Sequence, residues 1–338
     1  MINSNSLTNK QGQRFRSLVL LTIITVYLVI LAGGIVRGTG SGMGCPDWPK
    51  CFGRWIPPTE ASQLPPNYQE IYGAKLKGEV KFNATKTWIE YVNRLLGVLS
   101  GFFVLATLIA SFSYIKNNKT VFLGSLSAFL LIGANGWLGS RVVATELAQY
   151  MITIHLSLAV LVVFALLFVY TQSSLNATPH FTGNKSGGLK GLLLLTLVLT
   201  LSQVLLGTFV RESLDEVVKQ IGYENRSNWI SSLDWEFYVH RSFSLVLLAL
   251  HIAVIYKLRQ LNDVSWFSKA ANWLLVLVAS EIVTGVVMAY LEVPAFAQPI
   301  HLLFAMIIIG IQFVVWLSTV WTKRTTEESV SVSNLLKV

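Results

Sequence analysis

Asn93, His155, His240 and His301 each stand within the first few residues of a long apolar block, so helical rise places all four at a similar depth. An imidazole nitrogen is a standard axial ligand of haem iron, and helical bundles build cofactor sites from inward-facing side chains. Two histidines on facing helices at one depth therefore suit a haem, and His240 with His301 supply such a pair. His155 matches His301, but Asn93 occupies the place where a partner histidine would stand. Asparagine is a poor ligand for haem iron. A haem there would be held by His155, with its sixth position open or weakly filled by water or Asn93. For any one histidine alone the plainer reading is a hydrogen bond within the bundle or at the lipid interface; equivalent placement on repeated units favours ligation.

Other residues near the same depth extend this chemistry. Glu90 precedes Asn93 by three residues, nearly on one helical face. It suits a proton acceptor or electrostatic stabiliser beside a haem, and equally an ordinary acid at a helix N-terminus. Arg37, Arg94, Arg141, Arg211 and Arg241 lie at the same boundary, where guanidinium forks match haem propionates and where arginines also snorkel. The only two cysteines, Cys45 and Cys51, fall in the run Gly44-Cys45-Pro46-Asp47-Trp48-Pro49-Lys50-Cys51. An outward-facing pair suits a disulfide, as a structural staple or as a redox-active dithiol, whereas zinc would need two further ligands that the loop lacks. His251 follows His240 by 11 residues, which puts it near the same face but about 16 Å deeper, and it reads as structural. His180 lies in a polar stretch and reads as solvated.

The elements that position these residues are membrane helices. The chain of 338 residues is 53% hydrophobic and 13% charged, far more apolar than one globular core requires. Its apolar residues form eight blocks, about 17–36, 91–112, 121–142, 152–172, 190–210, 238–257, 271–291 and 300–322, each near the roughly 20 residues that span a bilayer. The first block is too long for a signal-peptide core and reads as a retained helix. The net charge of +9 resides in short loops rather than on one exposed face, which argues against nucleic acid as a partner. Placing both termini in the cytoplasm puts most of the basic residues inside. The expectation is a multi-pass protein of the cell membrane. Its first outer loop, about 37–90, carries six of the nine prolines and is expected to be partly ordered over the mouth of the first bundle.

The blocks repeat. Tyr91-Val92-Asn93-Arg94 is echoed by Tyr238-Val239-His240-Arg241 at an offset of 147, and Gly139 with His155 by Gly285 with His301 at an offset of 146. Gly33-Gly34-Ile35-Val36-Arg37 is likewise echoed by Gly207-Thr208-Phe209-Val210-Arg211. The expected architecture is all-α: two pseudo-symmetric four-helix bundles, 17–172 and 190–322, in parallel orientation and joined by a cytoplasmic linker, 173–189. A non-catalytic b-type cytochrome for electron transfer would use the same histidines, although a relay across the bilayer should place ligand pairs at both faces. A transporter is disfavoured by the absence of broken-helix signals.

The run from Gly33 to Arg37, the cysteine run 44–51, Glu90-Tyr91-Val92-Asn93-Arg94 and the histidines of the fourth, sixth and eighth blocks together resemble the haem A synthase family over about 17–322. The resemblance implies oxidation of a ring methyl of haem O to a formyl group, through a hydroxylated intermediate, to give haem A for cytochrome oxidase. It implies haem b on His240 and His301, substrate haem O on His155, Glu90 as the catalytic carboxylate, and a Cys45–Cys51 disulfide. Asn93 departs from the family's commonest pattern, which has histidine there. Haem O synthase and cytochrome oxidase assembly factors are the partners it suggests, with haem O entering laterally from membrane lipid.

Overall fold

The computed structural model describes residues 9–73, 82–174, 188–261 and 265–335. Most of the expected linker, His180 and the loop residues Lys75, Lys77 and Lys81 lie outside the described residues. The helices are α1 (Asn9–Gly38), α2 (Tyr68–Tyr72), α3 (Ala84–Ser111), α4 (Lys119–Ala144), α5 (Gln149–Ser173), α6 (Leu189–Ile221), α7 (Trp235–Arg259), α8 (Ser265–Tyr290) and α9 (Ala297–Leu335). All but α2 contain a segment long and apolar enough to cross a membrane, and these eight correspond to the eight apolar blocks.

Composition accounts for the helices and for their exposed faces. Leu20, Leu21, Ile24 and Leu28 on α1, Phe102 and Ile109 on α3 and Leu245 and Val246 on α7 are exposed, an arrangement that only lipid can satisfy. Polar side chains within the spans bond back to their own helix, as Thr22 does to the Leu18 carbonyl at 2.8 Å and Ser125 to Val121 at 2.9 Å. Thr22 and Thr107 also meet across α1 and α3 at 3.0 Å, both fully buried. At the start of α3 the Asn83 side chain caps the helix by accepting the Lys86 amide.

The chain forms two compact units, Met1–Ser173 with Val293–Leu303, and Ser174–Glu292 with Phe304–Val338. In the first unit α1 packs on α3 and α5, and α4 packs on the same two helices, closing a four-helix ring. The Val293–Leu303 segment belongs to this unit: Gly34 and Gly38 of α1 approach it so closely that a Cβ would lie 3.0 Å from Pro299 and 2.8 Å from the Ala295 oxygen. In the second unit a core from four helices joins Leu193 of α6, Val254 and Leu258 of α7, Leu274 of α8 and Ile308 and Val315 of α9. Backbone irregularities recur at the offset read from sequence. Glu146 and Leu147, after α4, take positive φ, and so do Glu292 and Val293, after α8, each 146 residues later.

Candidate functional site

In the first unit a stapled loop is bound to the start of α3. Cys45 and Cys51 form a disulfide with Cα atoms 4.8 Å apart. Both are fully buried, at 0% and 1% exposure, with Phe52 and Leu64 and beneath Tyr68, Tyr72, Phe82 and Tyr91. A disulfide enclosed in this way is placed as a staple, because an attacking thiolate needs access to sulfur. Asp47 closes the turn by accepting the amides of Phe52 at 2.6 Å and Gly53 at 2.8 Å. Burial, and then the Asp47 carboxylate, push the Tyr72 phenol above its ordinary pKa, which keeps it neutral within this cluster.

Glu90 is the pin of that loop. Its Oε2 accepts the Cys45 amide at 2.9 Å, and its Oε1 pairs with Arg94 at 2.5 Å, one turn along α3. Arg94 extends the clamp, donating to the carbonyls of Cys45 at 3.0 Å, Asp47 at 2.7 Å and Lys50 at 3.0 Å. The adjacent Thr87 hydroxyl bonds the Gly44 carbonyl at 2.8 Å. Gly44 is needed for this approach, because a Cβ there would stand 2.5 Å from the Lys86 oxygen. Two residues expected to face a cofactor, Glu90 and Arg94, are thus engaged by the stapled loop.

The candidate ligands sit in glycine cradles. The His155 ring on α5 lies against Gly139 of α4, where a Cβ would come within 3.4 Å of Cε1, and beside the Asn135 carbonyl one turn earlier. In the second unit the His240 ring on α7 lies against Gly207 of α6, where a Cβ would come within 3.3 Å, and beside the Gln203 carbonyl one turn earlier. The Gln203 amide also donates to the His240 carbonyl at 2.9 Å. Each imidazole therefore turns its Nδ1 edge to a neighbouring helix, an orientation that leaves Nε2 to a metal. Asn93 lies near Gly33 of α1, at 3.9 Å from a Cβ placed there. Its Oδ1 is buried without a hydrogen-bond partner among the described residues. A buried amide oxygen in want of a donor and an imidazole whose Nε2 is left to a metal form a donor set that a haem fits.

The remaining arginines are distributed. Arg37 donates to Gln149 at 3.0 Å in the first unit, and Arg211 pairs with Asp215 at 2.8 Å in the second. Arg141 and Arg241 are exposed. His301 stands in the first turns of α9, within the range of the first unit. Two residues escaped sequence reasoning. Glu281, partly buried in α8, is an acid inside an apolar span, and the rarity of such residues was the available signal. Gln312 of α9 is wholly buried and bonds His251 at 2.8 Å. Nothing in a glutamine within an apolar run indicates its partner.

The family described as cytochrome oxidase assembly protein, COX15-CtaA, matches residues 16–313. A protein of Bartonella quintana named Heme A synthase is 24% identical over 97% of this chain and 99% of its own length. One of Bartonella bacilliformis with the same name is 30% identical over 54% of this chain and 57% of its own length. One of Shewanella oneidensis, also so named, is 28% identical over 46% of this chain and 44% of its own length. With the match reaching all eight spans, the chain belongs to the COX15-CtaA family of cytochrome oxidase assembly proteins.

Proposed function

We propose that this protein is a haem A synthase, an integral membrane oxidoreductase that converts a ring methyl of haem O to a formyl group to give haem A for cytochrome oxidase. The observation that carries the reading is the pair of cradles, His155 against Gly139 and His240 against Gly207, in a chain matched to this family over 16–313. His155 would hold the substrate haem O, and Asn93 would offer at most a weak second contact. The repeat pairing read from sequence makes His240 and His301 the candidate ligands of a haem b, which when bound would supply one-electron redox chemistry. Arg37, Arg94, Arg211 and Arg241 are the candidates for propionate contacts, with Arg94 shared between that role and the loop.

Glu90 would act from its place on α3 against the stapled loop, where a carboxylate bound by loop amides and one guanidinium still has lone-pair capacity to take a proton. On this reading the loop would help exclude water from the substrate site. The two four-helix halves are copies of one unit, both termini are cytoplasmic, and haem O enters laterally from lipid after release by a haem O synthase, with assembly factors for cytochrome oxidase downstream. The test is to express the protein with and without a source of haem O and to identify the extracted haems by chromatography and mass. Haem b together with conversion of haem O to haem A, lost in Glu90→Gln, supports the reading. Stoichiometric haem b with haem O untouched overturns it in favour of a cytochrome.

A further inference from the structure

The second unit contains a polar rung that the proposed chemistry leaves unused. His251 of α7, Gln312 of α9 and Thr200 of α6 are all buried, at 4%, 0% and 6% exposure, deep within apolar spans. Their polarity is determined by their partners. His251 Nδ1 lies 2.7 Å from the Leu247 carbonyl, which can only accept, so Nδ1 carries the proton and Nε2 is the acceptor. Gln312 Nε2, 2.8 Å from that Nε2, therefore donates to it and also to the Thr200 hydroxyl at 3.3 Å. Thr200 donates onward to the Thr196 carbonyl at 2.7 Å. Three helices are thus joined by one directional network.

Filling the core does not require it. At the repeat offsets the first unit has Val104 for His251, Leu166 for Gln312 and Val26 for Thr200, and these are buried as completely. Apolar contacts of that kind allow small rotations and slides. Hydrogen bonds between named atoms do not, and buried polar pairs are best attested as devices that set register. The spacing says which register is set. His251 follows His240 by 11 residues, within about 20° of three full helical turns, and Gln312 follows His301 by the same interval. On α6 the rung residue Thr200 stands one turn from Gln203, which holds the His240 carbonyl, and two turns from Gly207, which cradles the His240 ring.

We infer that the His251–Gln312–Thr200 rung is a positioning device that sets the rotation of α7, and with it the direction in which His240 presents its imidazole to a haem. The inference rests on His240 being a haem ligand. It assigns His251 a role through another residue and no contact with the cofactor.

The experiment uses the full-length protein purified with its haem as wild type, as H251V/Q312L, which copies the first unit's Val104 and Leu166, and as the exchanged pair H251Q/Q312H. Thermal unfolding and the low-spin ferric signal in electron paramagnetic resonance are read on the same samples. H251V/Q312L is expected to keep a cooperative unfolding transition while most of its haem shifts in g-values or becomes high-spin, and the exchanged pair to recover most of the wild-type signal. If H251V/Q312L fails to fold, Thr200→Val and the exchanged pair decide, Thr200→Val shifting the signal and the exchanged pair restoring it. A wild-type signal in H251V/Q312L, or an exchanged pair that folds yet stays as perturbed as the apolar pair, overturns the inference. Wild-type protein without a two-imidazole signal overturns the ligand reading itself, a failure visible before any variant is made.

Discussion

Removing the Arg94 guanidinium deletes four hydrogen bonds that hold the stapled loop to α3: to Glu90 Oε1 and to the carbonyls of Cys45, Asp47 and Lys50. It also strands a carboxylate at 5% side-chain exposure, left with backbone amides of the loop such as that of Cys45. Truncating one partner of a buried ion pair costs about 3–5 kcal/mol, and hydrogen bonds to charged groups contribute about 1.5–3 kcal/mol each without adding fully. Arg94→Ala should therefore weaken loop docking by about 3–5 kcal/mol, which at about 1.4 kcal/mol per decade raises the open population between about a hundredfold and a few thousandfold. Because Cys45 and Cys51 are buried, reduction has to proceed through that open state. The assay is the rate at which a water-soluble phosphine reduces the disulfide in protein reconstituted in lipid, with the freed thiols trapped by maleimide and counted by mass. Arg94→Lys keeps the charge but cannot fork to four oxygens, so an intermediate rate is expected. Reduction of Arg94→Ala at the wild-type rate, with the unfolding transition intact, would refute the clamp.

Glu90→Gln retains an acceptor for the Cys45 amide but loses the ion pair, so disulfide reduction should speed up by much less than in Arg94→Ala while haem O conversion falls to background; comparing the two rates separates the loop role of Glu90 from its chemical one. Gly139→Val and Gly207→Val set branched side chains where even a Cβ lies 3.4 Å and 3.3 Å from a histidine ring, and each should lose the haem of its own unit, measured as haem extracted per protein. His155→Ala should lose bound haem O and keep haem b, and His240→Ala the reverse, checked by chromatography of the extracted haems; simultaneous loss of both from either variant would mean that the two sites are not independent.

The spans were legible because burial in lipid demands uninterrupted apolar runs, and nothing else in the chain imitates them. Their ends were less so. The apolar run of the fifth block stops near 210, yet α6 continues to Ile221, since an Arg211–Asp215 pair at i,i+4 supports helix as well outside the hydrocarbon as within it. The short helix α2 gave no periodic signal in five residues. In the loop, spacing pointed to a cysteine pair, but not to its enclosure or to the clamp. The three carbonyls that Arg94 binds belong to the backbone, which every sequence shares, so only the folded turn could reveal them.

The residues that differ at repeat-equivalent positions say more than those that agree. Both units keep a glycine beside the repeat-equivalent residue, at Gly33 with Asn93 and Gly207 with His240, so a close approach of that side chain to the neighbouring helix is common to them. What changes is polarity. Asn93 stands where the second unit has His240, Val104 and Leu166 where it has His251 and Gln312, and Asn135 where it has Glu281. The first unit instead gains a long stapled loop pinned by Glu90 and Arg94. On the proposed function, a site that must release its haem as product would profit from a weak sixth ligand and a stapled loop nearby, whereas a site that keeps its haem would profit from strong ligands and helices whose rotation is fixed. The polar residues of this chain are distributed in the way that proposal requires, and under it Asn93, a defect if both sites were alike, suits the site that would turn over.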